Sequence, residues 1–204
     1  AFTYYLGFKV NDGEYKVMGM AAYGKPKYYD KIMQQLIDVK DDGSFQLNMK
    51  YFAFTHDLVM INKKFTDLFG VDVRQPELEI KQIHYDIAAS IQLVLEDILL
   101  KISTHVYNKT EQANLCLGGG VALNGVANYR ILKDSPFERI HIPPAPGDAG
   151  SAIGCALYVY YSLFQKKRIP NDSPETITNN IFVGPQYLSD AVREFLESSN
   201  ITYK

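Results

Sequence analysis

The chain has 204 residues, of which 47% are hydrophobic, and a formal net charge of −2 from 21 basic and 23 acidic residues. This length and composition predict one folded domain with a sizeable core, or one domain with an appendage, and do not favour a disordered chain. The mixed charge gives no basic surface for nucleic acid and no polybasic membrane patch, and no apolar run reaches the ~20 residues that a membrane-spanning helix needs.

The first residues predict a strand. Residues 2–10, FTYYLGFKV, are rich in aromatic and β-branched types, and Asn11-Asp12-Gly13 is a turn sequence that would end the strand. The sequence begins directly on these residues without a methionine, so we expect it to be a piece of a longer protein. An exposed strand at this position would favour self-association, for example as a homodimer.

A helix is expected next, over the stretch GEYKVMGMAAYGKP at residues 13–26, where Gly24-Lys25-Pro26 would end it. By residue type alone, Glu14 and Lys16 are the solvated charges of a helix start. Helical spacing of apolar residues resumes over residues 27–39.

A hairpin or edge insertion follows this helical region. Asp41-Asp42-Gly43-Ser44 is a turn sequence, and apolar and polar side chains alternate over residues 45–51, which predicts a strand with one buried face. Residues 62–83 are polar and irregular. Within them, Arg74 is expected to be an exposed loop arginine.

The longest periodic segment covers residues 85–107, where apolar residues at spacings of three and four predict a core helix. His84 and His105 lie at its ends, and neither has a second histidine three or four residues away, so neither forms a helical metal-binding pair. His56 and His141 are equally isolated. We therefore expect all four histidines to be structural or at the surface.

Residues 113–158 contain two successive strand–turn–helix sequences. In the first, the apolar residues 115–117 precede Gly118, Gly119 and Gly120, and a helical pattern follows. Glycines at such a junction let backbone N–H groups approach an anion, and the helix start adds a partial positive charge, so phosphate is the expected ligand. A close turn that packs a helix on a sheet is the alternative.

The second sequence repeats this arrangement. Residues 140–142 predict a strand, the proline-rich residues 143–146 predict a rigid turn, and Gly147-Asp148-Ala149-Gly150 opens a helix that runs to residue 164. Asp148 lies near the helix N-terminus, where a carboxylate is stabilised and can hold a metal ion, or else caps the helix. Two such turns in tandem, the second with an acid, favour a nucleotide site.

The composition changes abruptly after this stretch. Residues 165–180 are charged and turn-forming and predict a linker, and residues 181–204 predict a strand start and a short amphipathic helix with Ser189 as its N-cap. Cys116 and Cys155 lie in apolar contexts, so we expect buried, reduced thiols. Together with the lack of a visible signal peptide, they predict a cytoplasmic protein.

Four separated stretches resemble the carbamoyltransferase family that includes NodU and the cephalosporin and aminoglycoside O-carbamoyltransferases. In the family's order they are GEYKVMGMAAYGKP (13–26), HYDIAASIQ (84–92), LCLGGGVALNGVAN (115–128) and IHIPPAPGDAGSAIGCAL (140–157). The resemblance implies an α/β fold of the actin-like ATPase (ribonuclease H-like) type, with a mixed sheet flanked by helices. It also implies a relationship to the universal tRNA threonylcarbamoyladenosine transferase.

The resemblance implies a domain organisation as well. Residues 1–164 would form the second half of the actin-like domain, residues 165–180 a linker, and residues 181–204 the start of a C-terminal module resembling YrdC, which a Gly-Pro-x-Tyr segment begins in the family. The actin-like fold closes its nucleotide cleft from two subdomains, so the chain would supply one wall of it.

Several residues acquire nucleotide-binding roles from this resemblance. Glu14 would contact ribose hydroxyls, Lys16 would face the nucleotide, and Gly24 would leave room for it. Residues Gly118, Gly119 and Gly120 would hold phosphate through their backbone N–H groups. The Asn124 amide would contact adenosine or phosphate, or else cap or bridge the helix start.

The resemblance also identifies a metal ligand and catalytic residue. Asp148 would hold a divalent metal, iron or a similar ion, that polarises the carbonyl group during transfer. In the family its counterpart shares the ion with a His-x3-His pair upstream, which this sequence does not contain, so we expect poor metal affinity. Residues 62–83 would border the acceptor site, where Arg74 would alternatively meet a phosphate or carboxylate.

The implied activity is ATP-dependent transfer of a carbamoyl group from carbamoyl phosphate, through carbamoyladenylate, to a hydroxyl of a small-molecule or carbohydrate acceptor. We expect the 204-residue chain to be inactive alone, because the upstream ligands are missing. An actin-like sugar kinase and a non-catalytic nucleotide-binding module are the alternatives. No nucleic-acid or membrane partner is expected.

Overall fold

The computed structural model describes residues 1–167, 185 and 187–203. It divides into two compact units, Ala1–Ser151 and Ala152–Lys204. Most of the predicted linker, residues 168–180, lies outside the described residues, so the predicted domain limits remain predictions. Within the described part of the chain, no helix is both long enough and apolar enough to cross a membrane.

The first unit is a mixed α/β structure of helices with two small sheets. Its helices are α1 (Phe2–Tyr5), α2 (Glu14–Ala21), α3 (Tyr29–Gln35), α4 (Lys63–Phe69), α5 (Gln82–Thr110) and α6 (Gly125–Asp134). Strands β1 (Ile37–Val39) and β2 (Phe45–Leu47) pair antiparallel, and strands β3 (Asn114–Cys116) and β4 (Arg139–His141) pair parallel. Short 3-10 helices lie at Met49–Tyr51, Gly120–Leu123 and Asp148–Gly150.

Helix α5 is the element around which this unit packs. The sequence predicted a core helix over 85–107, and the structure confirms it with bounds of Gln82–Thr110. Ile87, Val94 and Ile98 of its apolar face are buried. Helices α2, α3 and α6 all pack against α5.

The predicted strand over residues 2–10 is wrong, because the chain forms helix α1 there. Phe2 and Tyr5, one turn apart, pack edge-on against Phe65 at ring-centroid distances of 5.2 Å. Burying both rings on one side requires helical spacing, since successive side chains of a strand point to opposite faces. The expected exposed strand is therefore absent from residues 2–10, and with it the reason given for self-association.

The hairpin is shorter than predicted. The turn at residues 40–44 joins β1 to β2 as expected, but β2 ends at Leu47 and Phe45 is exposed. Asn48 ends the strand, because its side chain accepts a hydrogen bond from the backbone N–H of Lys50 and donates one to the carbonyl of Gln35. Tyr51 then lies in a 3-10 helix.

Arg74 is buried rather than exposed, with 6% of its surface accessible. Its Nε donates to the carbonyl oxygen of Leu6 at 2.7 Å, and Nη1 donates to the carbonyl oxygens of Gln75, Pro76 and Leu78 at 2.6–3.1 Å. A planar guanidinium group is suited to such a fork of acceptors. The residue thus holds the loop after α4 against the end of α1.

The second unit contains helix α7 (Ser151–Tyr158), a π-helical turn (Val159–Leu163) and helix α8 (Ser189–Ser198). The predicted N-cap Ser189 is the first residue of α8, and Leu188 occupies the cap position. The side chains of α7 are exposed, Cys155 among them. Cys116 of β3 in the first unit is also exposed, so the prediction of two buried thiols is wrong.

His84 gives the fold a dependence on pH. It is buried, and its Nδ1 accepts a hydrogen bond from the N–H of Lys81 at the start of α5. Burial lowers the pKa of His84 below 6.5, and the charges of Arg74 and Lys81 lower it further. The folded state thus favours the neutral ring, and the unfolded state binds more protons below the unfolded pKa.

We therefore expect the free energy of unfolding to fall as the pH drops through 6.5. Because one proton is taken up, the slope should not exceed about 1.4 kcal/mol per pH unit. Urea denaturation between about pH 5 and pH 8 would measure this. In His84→Gln, which keeps a hydrogen-bond acceptor, the contribution of His84 to this pH dependence is lost, so the free energy of unfolding should change less with pH than in wild type. Equal slopes for wild type and variant would contradict the assignment.

Candidate functional site

Two turns leave the same edge of the parallel sheet. In β3 and β4, Leu115 pairs with Ile140 and Cys116 with His141, and each strand is followed by a turn and a helix. The carboxyl ends of parallel strands meet at one edge, where ligands bind in open α/β sheets. The N–H of Gly119 in the first turn donates to the carbonyl oxygen of Pro146 in the second at 2.7 Å. The two predicted turns therefore lie side by side.

The three glycines of the first turn face open space. A β-carbon added at Gly118, Gly119 or Gly120 would meet no atom within 4 Å. Only Gly119 has a left-handed backbone, with φ of 95°. Internal packing therefore does not require glycine at 118 and 120.

Backbone N–H groups of this turn remain available to a ligand. Gly119 donates to Pro146 and Ala122 donates to Gly119. Within the described part of the chain, the N–H groups of Gly118, Gly120 and Val121 form no hydrogen bond to another residue. Exposed, closely spaced amides of this kind make an anion-binding concavity.

Gly24 differs from these glycines, because backbone atoms of α5 lie where a β-carbon of residue 24 would be. A β-carbon at this position would lie 1.9 Å from the carbonyl oxygen of Tyr85 and 2.7 Å from the N–H nitrogen of Asp86. The close approach of this turn to the start of α5 therefore requires glycine. Asp86 strengthens the contact by accepting hydrogen bonds from the backbone N–H of Lys25 and from the Lys27 ammonium group. The predicted role of leaving room for a ligand stays a prediction.

Asn124 caps α6, which was the alternative to ligand contact. Its Oδ1 accepts the N–H of Ala127 at 3.0 Å, as N-cap side chains do. The same amide forms a reciprocal pair with Gln92 of α5, with distances of 3.1 Å and 2.9 Å. These bonds leave one N–H of the Asn124 side chain free for a ligand.

Asp148 lies in the second turn and is exposed. It begins the 3-10 helix Asp148–Gly150, and its backbone carbonyl accepts a hydrogen bond from the Ser151 hydroxyl at 2.7 Å. Among the described residues, no salt bridge involves its carboxylate, and no three His, Cys, Asp or Glu side chains are grouped to hold a metal. These residues alone therefore do not fit a closed metal site, which takes about three or four protein donors.

Glu14 and Lys16 form the first turn of α2 and bind within their own neighbourhood. Glu14 accepts the backbone N–H of Asn11 at 3.0 Å, and the Lys16 ammonium group lies over the rings of Phe8 and Tyr15 at 5.8 Å and 5.7 Å. These contacts do not connect them to the glycine turns. Their nucleotide contacts remain predictions.

Helix α5 relates Gly24 to Asn124. Gly24 packs against residue 85 of α5, and Asn124 bonds to residue 92. Residues seven apart lie on one side of a helix, about 10 Å apart along the axis. Two of the predicted motifs thus rest on one side of α5, two turns apart.

Sequence reasoning missed Gln92 and its neighbours. Gln92 is buried, although it is polar, in the apolar pattern of α5 between Ile91 and Val94. Buried polar side chains are normally hydrogen-bonded, so a glutamine inside a core helix was the sequence feature that could have indicated an internal partner. The partner itself, Asn124, lies 32 residues away and could not be deduced from spacing.

Comparison with known proteins gives consistent matches. A family model described as the carbamoyltransferase N-terminus matches residues 1–157. The uncharacterized protein sll1178 of Synechocystis sp. is 49% identical over 97% of this chain and 32% of its own length. Nodulation protein NolNO of Sinorhizobium fredii is 32% identical over 93% of this chain and 25% of its own length.

A further relative is nodulation protein NolO of Bradyrhizobium diazoefficiens. It is 34% identical over 82% of this chain and 29% of its own length. The chain thus spans about a third or less of the length of these curated relatives.

Proposed function

The chain belongs to the carbamoyltransferase family, and from this premise we propose that it is part of an ATP-dependent O-carbamoyltransferase. The acceptor is a hydroxyl of a small molecule or carbohydrate, and the setting is the cytoplasm, where ATP is available. The proposed fold of the first unit is the second half of an actin-like ATPase domain, and residues 181–204 begin a YrdC-like module.

One observation carries the proposal. Two adjacent turns lie at the carboxyl edge of β3 and β4, and the first presents unbonded N–H groups of Gly118, Gly120 and Val121 in open space. Such groups suit the oxygens of a phosphate, because they stabilise negative charge without a side chain. In the proposed enzyme they bind and orient the phosphates of ATP.

The proposed reaction has three steps. The phosphate of carbamoyl phosphate leaves as inorganic phosphate when water cleaves its bond to the carbamoyl carbon. The resulting carbamate oxygen attacks the α-phosphorus of ATP, and pyrophosphate leaves. The acceptor hydroxyl then loses its proton and attacks the carbamoyl carbon, and AMP leaves.

The residues of this chain contribute binding and charge stabilisation to these steps. The amides of the first turn stabilise charge that develops on phosphate oxygens, which is the kind of term that often dominates catalysis. Asp148 lies in the second turn. It would hold a divalent ion that polarises the carbonyl group, with donors from elsewhere completing the site.

The test is a product assay on the protein expressed from its complete reading frame. We expect release of pyrophosphate only when ATP and carbamoyl phosphate are both present, and release of AMP when a hydroxyl acceptor is added. Asp148→Asn should lower AMP release in the presence of the acceptor, because AMP leaves in the transfer step that the polarised carbonyl group assists. Asp41→Asn, an exposed aspartate in the hairpin turn, is the matched control and should not.

Other product patterns would contradict the proposal. Formation of ADP and a phosphorylated sugar, without need for carbamoyl phosphate, would indicate a kinase. A rise in melting temperature with ATP and no products would indicate a nucleotide-binding module, since a ligand that binds only the native state must stabilise it.

A further inference from the structure

A buried polar relay leads from α5 to the glycine turn. Gln92 has 7% of its surface accessible, and its Nε2 donates to Glu96 at 2.9 Å and to Asn124 Oδ1 at 3.1 Å. Its Oε1 accepts from Asn124 Nδ2 at 2.9 Å. Both N–H groups of the Gln92 amide are therefore donated, one to Glu96 and one to Asn124, and its oxygen accepts from Asn124.

The relay fixes which way both amides point. A carboxylate only accepts, so Glu96 forces the Gln92 nitrogen toward itself and leaves Oε1 as the acceptor for Asn124. The Asn124 Nδ2 must then face Gln92 Oε1. The backbone N–H of Ala127 requires Oδ1 at the helix start, which is the same orientation. Asn124 has its oxygen used twice and one N–H unused.

The carboxylate that begins the relay is itself held in place. The Arg130 guanidinium group of α6 lies 3.4 Å from Glu96 Oε2 and 2.6 Å from Asp97 Oδ1. Asp97 in turn accepts from the hydroxyl of Tyr29 on α3. Glu96 is thus contacted from α5 and α6, and α3 contacts the neighbouring Asp97.

We propose that Gln92 and Glu96 are positioning residues that hold Asn124 with an N–H group presented to an acceptor atom of the nucleotide. This inference rests on the proposed function and deepens it. The preferred atom on the ligand is a hydrogen-bond acceptor, such as a phosphate oxygen, because the Asn124 oxygen is already saturated. Gln92 acts through Asn124 and does not touch the ligand.

A double-mutant cycle tests this, with ATP affinity measured by calorimetry on the protein expressed from its complete reading frame. Gln92→Leu is expected to weaken ATP binding about tenfold, the usual effect of losing a hydrogen bond to a charged ligand. In an Asn124→Ala background the same change should have no further effect. Asn124→Asp, which keeps the capping oxygen but replaces the N–H by an acceptor, should weaken binding more than Asn124→Ala.

Tyr51→Phe is the matched control. It removes one hydrogen bond, from the Tyr51 hydroxyl to Gln35 Oε1 at 3.0 Å, in the hairpin region. It should leave ATP affinity unchanged. A fall in ATP affinity in Tyr51→Phe would show that any loss of a hydrogen bond weakens binding through lower stability. Should Gln92→Leu fail to fold, Gln92→Met replaces it in the cycle.

The outcomes separate the two claims. If Asn124→Ala weakens binding and Gln92→Leu does not, or if their effects add, the positioning role is overturned and the proposed function stands. If Asn124→Asp binds ATP as well as wild type does, the assignment of a donor is overturned. If the wild-type protein binds no ATP, the proposed function and this inference fail together.

Discussion

Arg74→Met is expected to destabilise the first unit by about 3–5 kcal/mol, because it removes every hydrogen bond of a buried guanidinium group. The carbonyl oxygens of Leu6, Gln75, Pro76 and Leu78 lose their shared donor. Of these residues Leu6 is fully buried, and a buried acceptor without a partner costs about 1–3 kcal/mol. Methionine has a similar length and fills part of the volume, so the loss reflects hydrogen bonding more than a cavity.

Arg74 also supports a backbone that tolerates little change. Gly7 has φ of 78°, and a β-carbon there would lie 2.5 Å from the Arg74 carbonyl oxygen. The Arg74 guanidinium group also lies 5.2 Å from the centroid of the Phe8 ring. The end of α1 and the loop after α4 are thus fitted to each other at short range, so loss of the arginine cannot be repaired by a small shift.

Guanidinium denaturation followed by far-UV circular dichroism measures this effect. Arg139→Met is the control, since Arg139 is exposed on β4 and its replacement should change stability by less than about 0.5 kcal/mol. Arg74→Lys should also destabilise, because an ammonium group does not reproduce the fork. An Arg74→Met protein as stable as Arg139→Met would show that the loop holds without these bonds.

The sequence predicted elements whose pattern is local. Helix α5 was predicted because its apolar residues repeat at helical spacing over many turns, and the strand–turn–helix order around Gly118 was predicted from an apolar run, three glycines and a helical pattern in succession. The mixed α/β class and the family followed from the same stretches. Each of these depends on residues that are neighbours in the chain.

Errors arose where distant contacts decide the local structure. Residues 2–5 have strand-forming types but fold as a helix because Phe65 and Phe69 offer an aromatic surface to one side of it. Arg74 looked like a loop residue because its acceptor at Leu6 lies 68 positions away. Single-sequence periodicity contains no information about such partners.

The candidate site shows the same division. The glycines and Asp148 were chosen by residue type and turn sequence, whereas Gln92 was passed over because a glutamine on a helix has no diagnostic spacing. The hydrogen bond between Gly119 and Pro146 joins turns that the sequence could only place one after the other. Their adjacency follows from the parallel pairing of β3 with β4.

Gly120→Val is expected to weaken ATP binding at least about 100-fold while leaving the fold intact, because its side chain would fill the space over the phosphate-binding amides. A β-carbon at this position meets no atom within 4 Å, and the backbone is not left-handed. Stability should therefore change by less than about 1 kcal/mol. Gly24→Ala, in contrast, should lower the stability clearly, since its β-carbon would lie 1.9 Å from the Tyr85 carbonyl oxygen.

The measurement pairs ATP affinity by calorimetry with the melting temperature of each variant, in the protein expressed from its complete reading frame. Gly154→Val, a valine at an open glycine of α7, controls for the substitution itself and should bind ATP normally. A Gly120→Val protein that binds ATP as tightly as wild type would remove the first turn from the site. A Gly120→Val protein that unfolds would show that the valine methyl groups meet neighbours beyond the β-carbon, and would contradict the prediction of an intact fold.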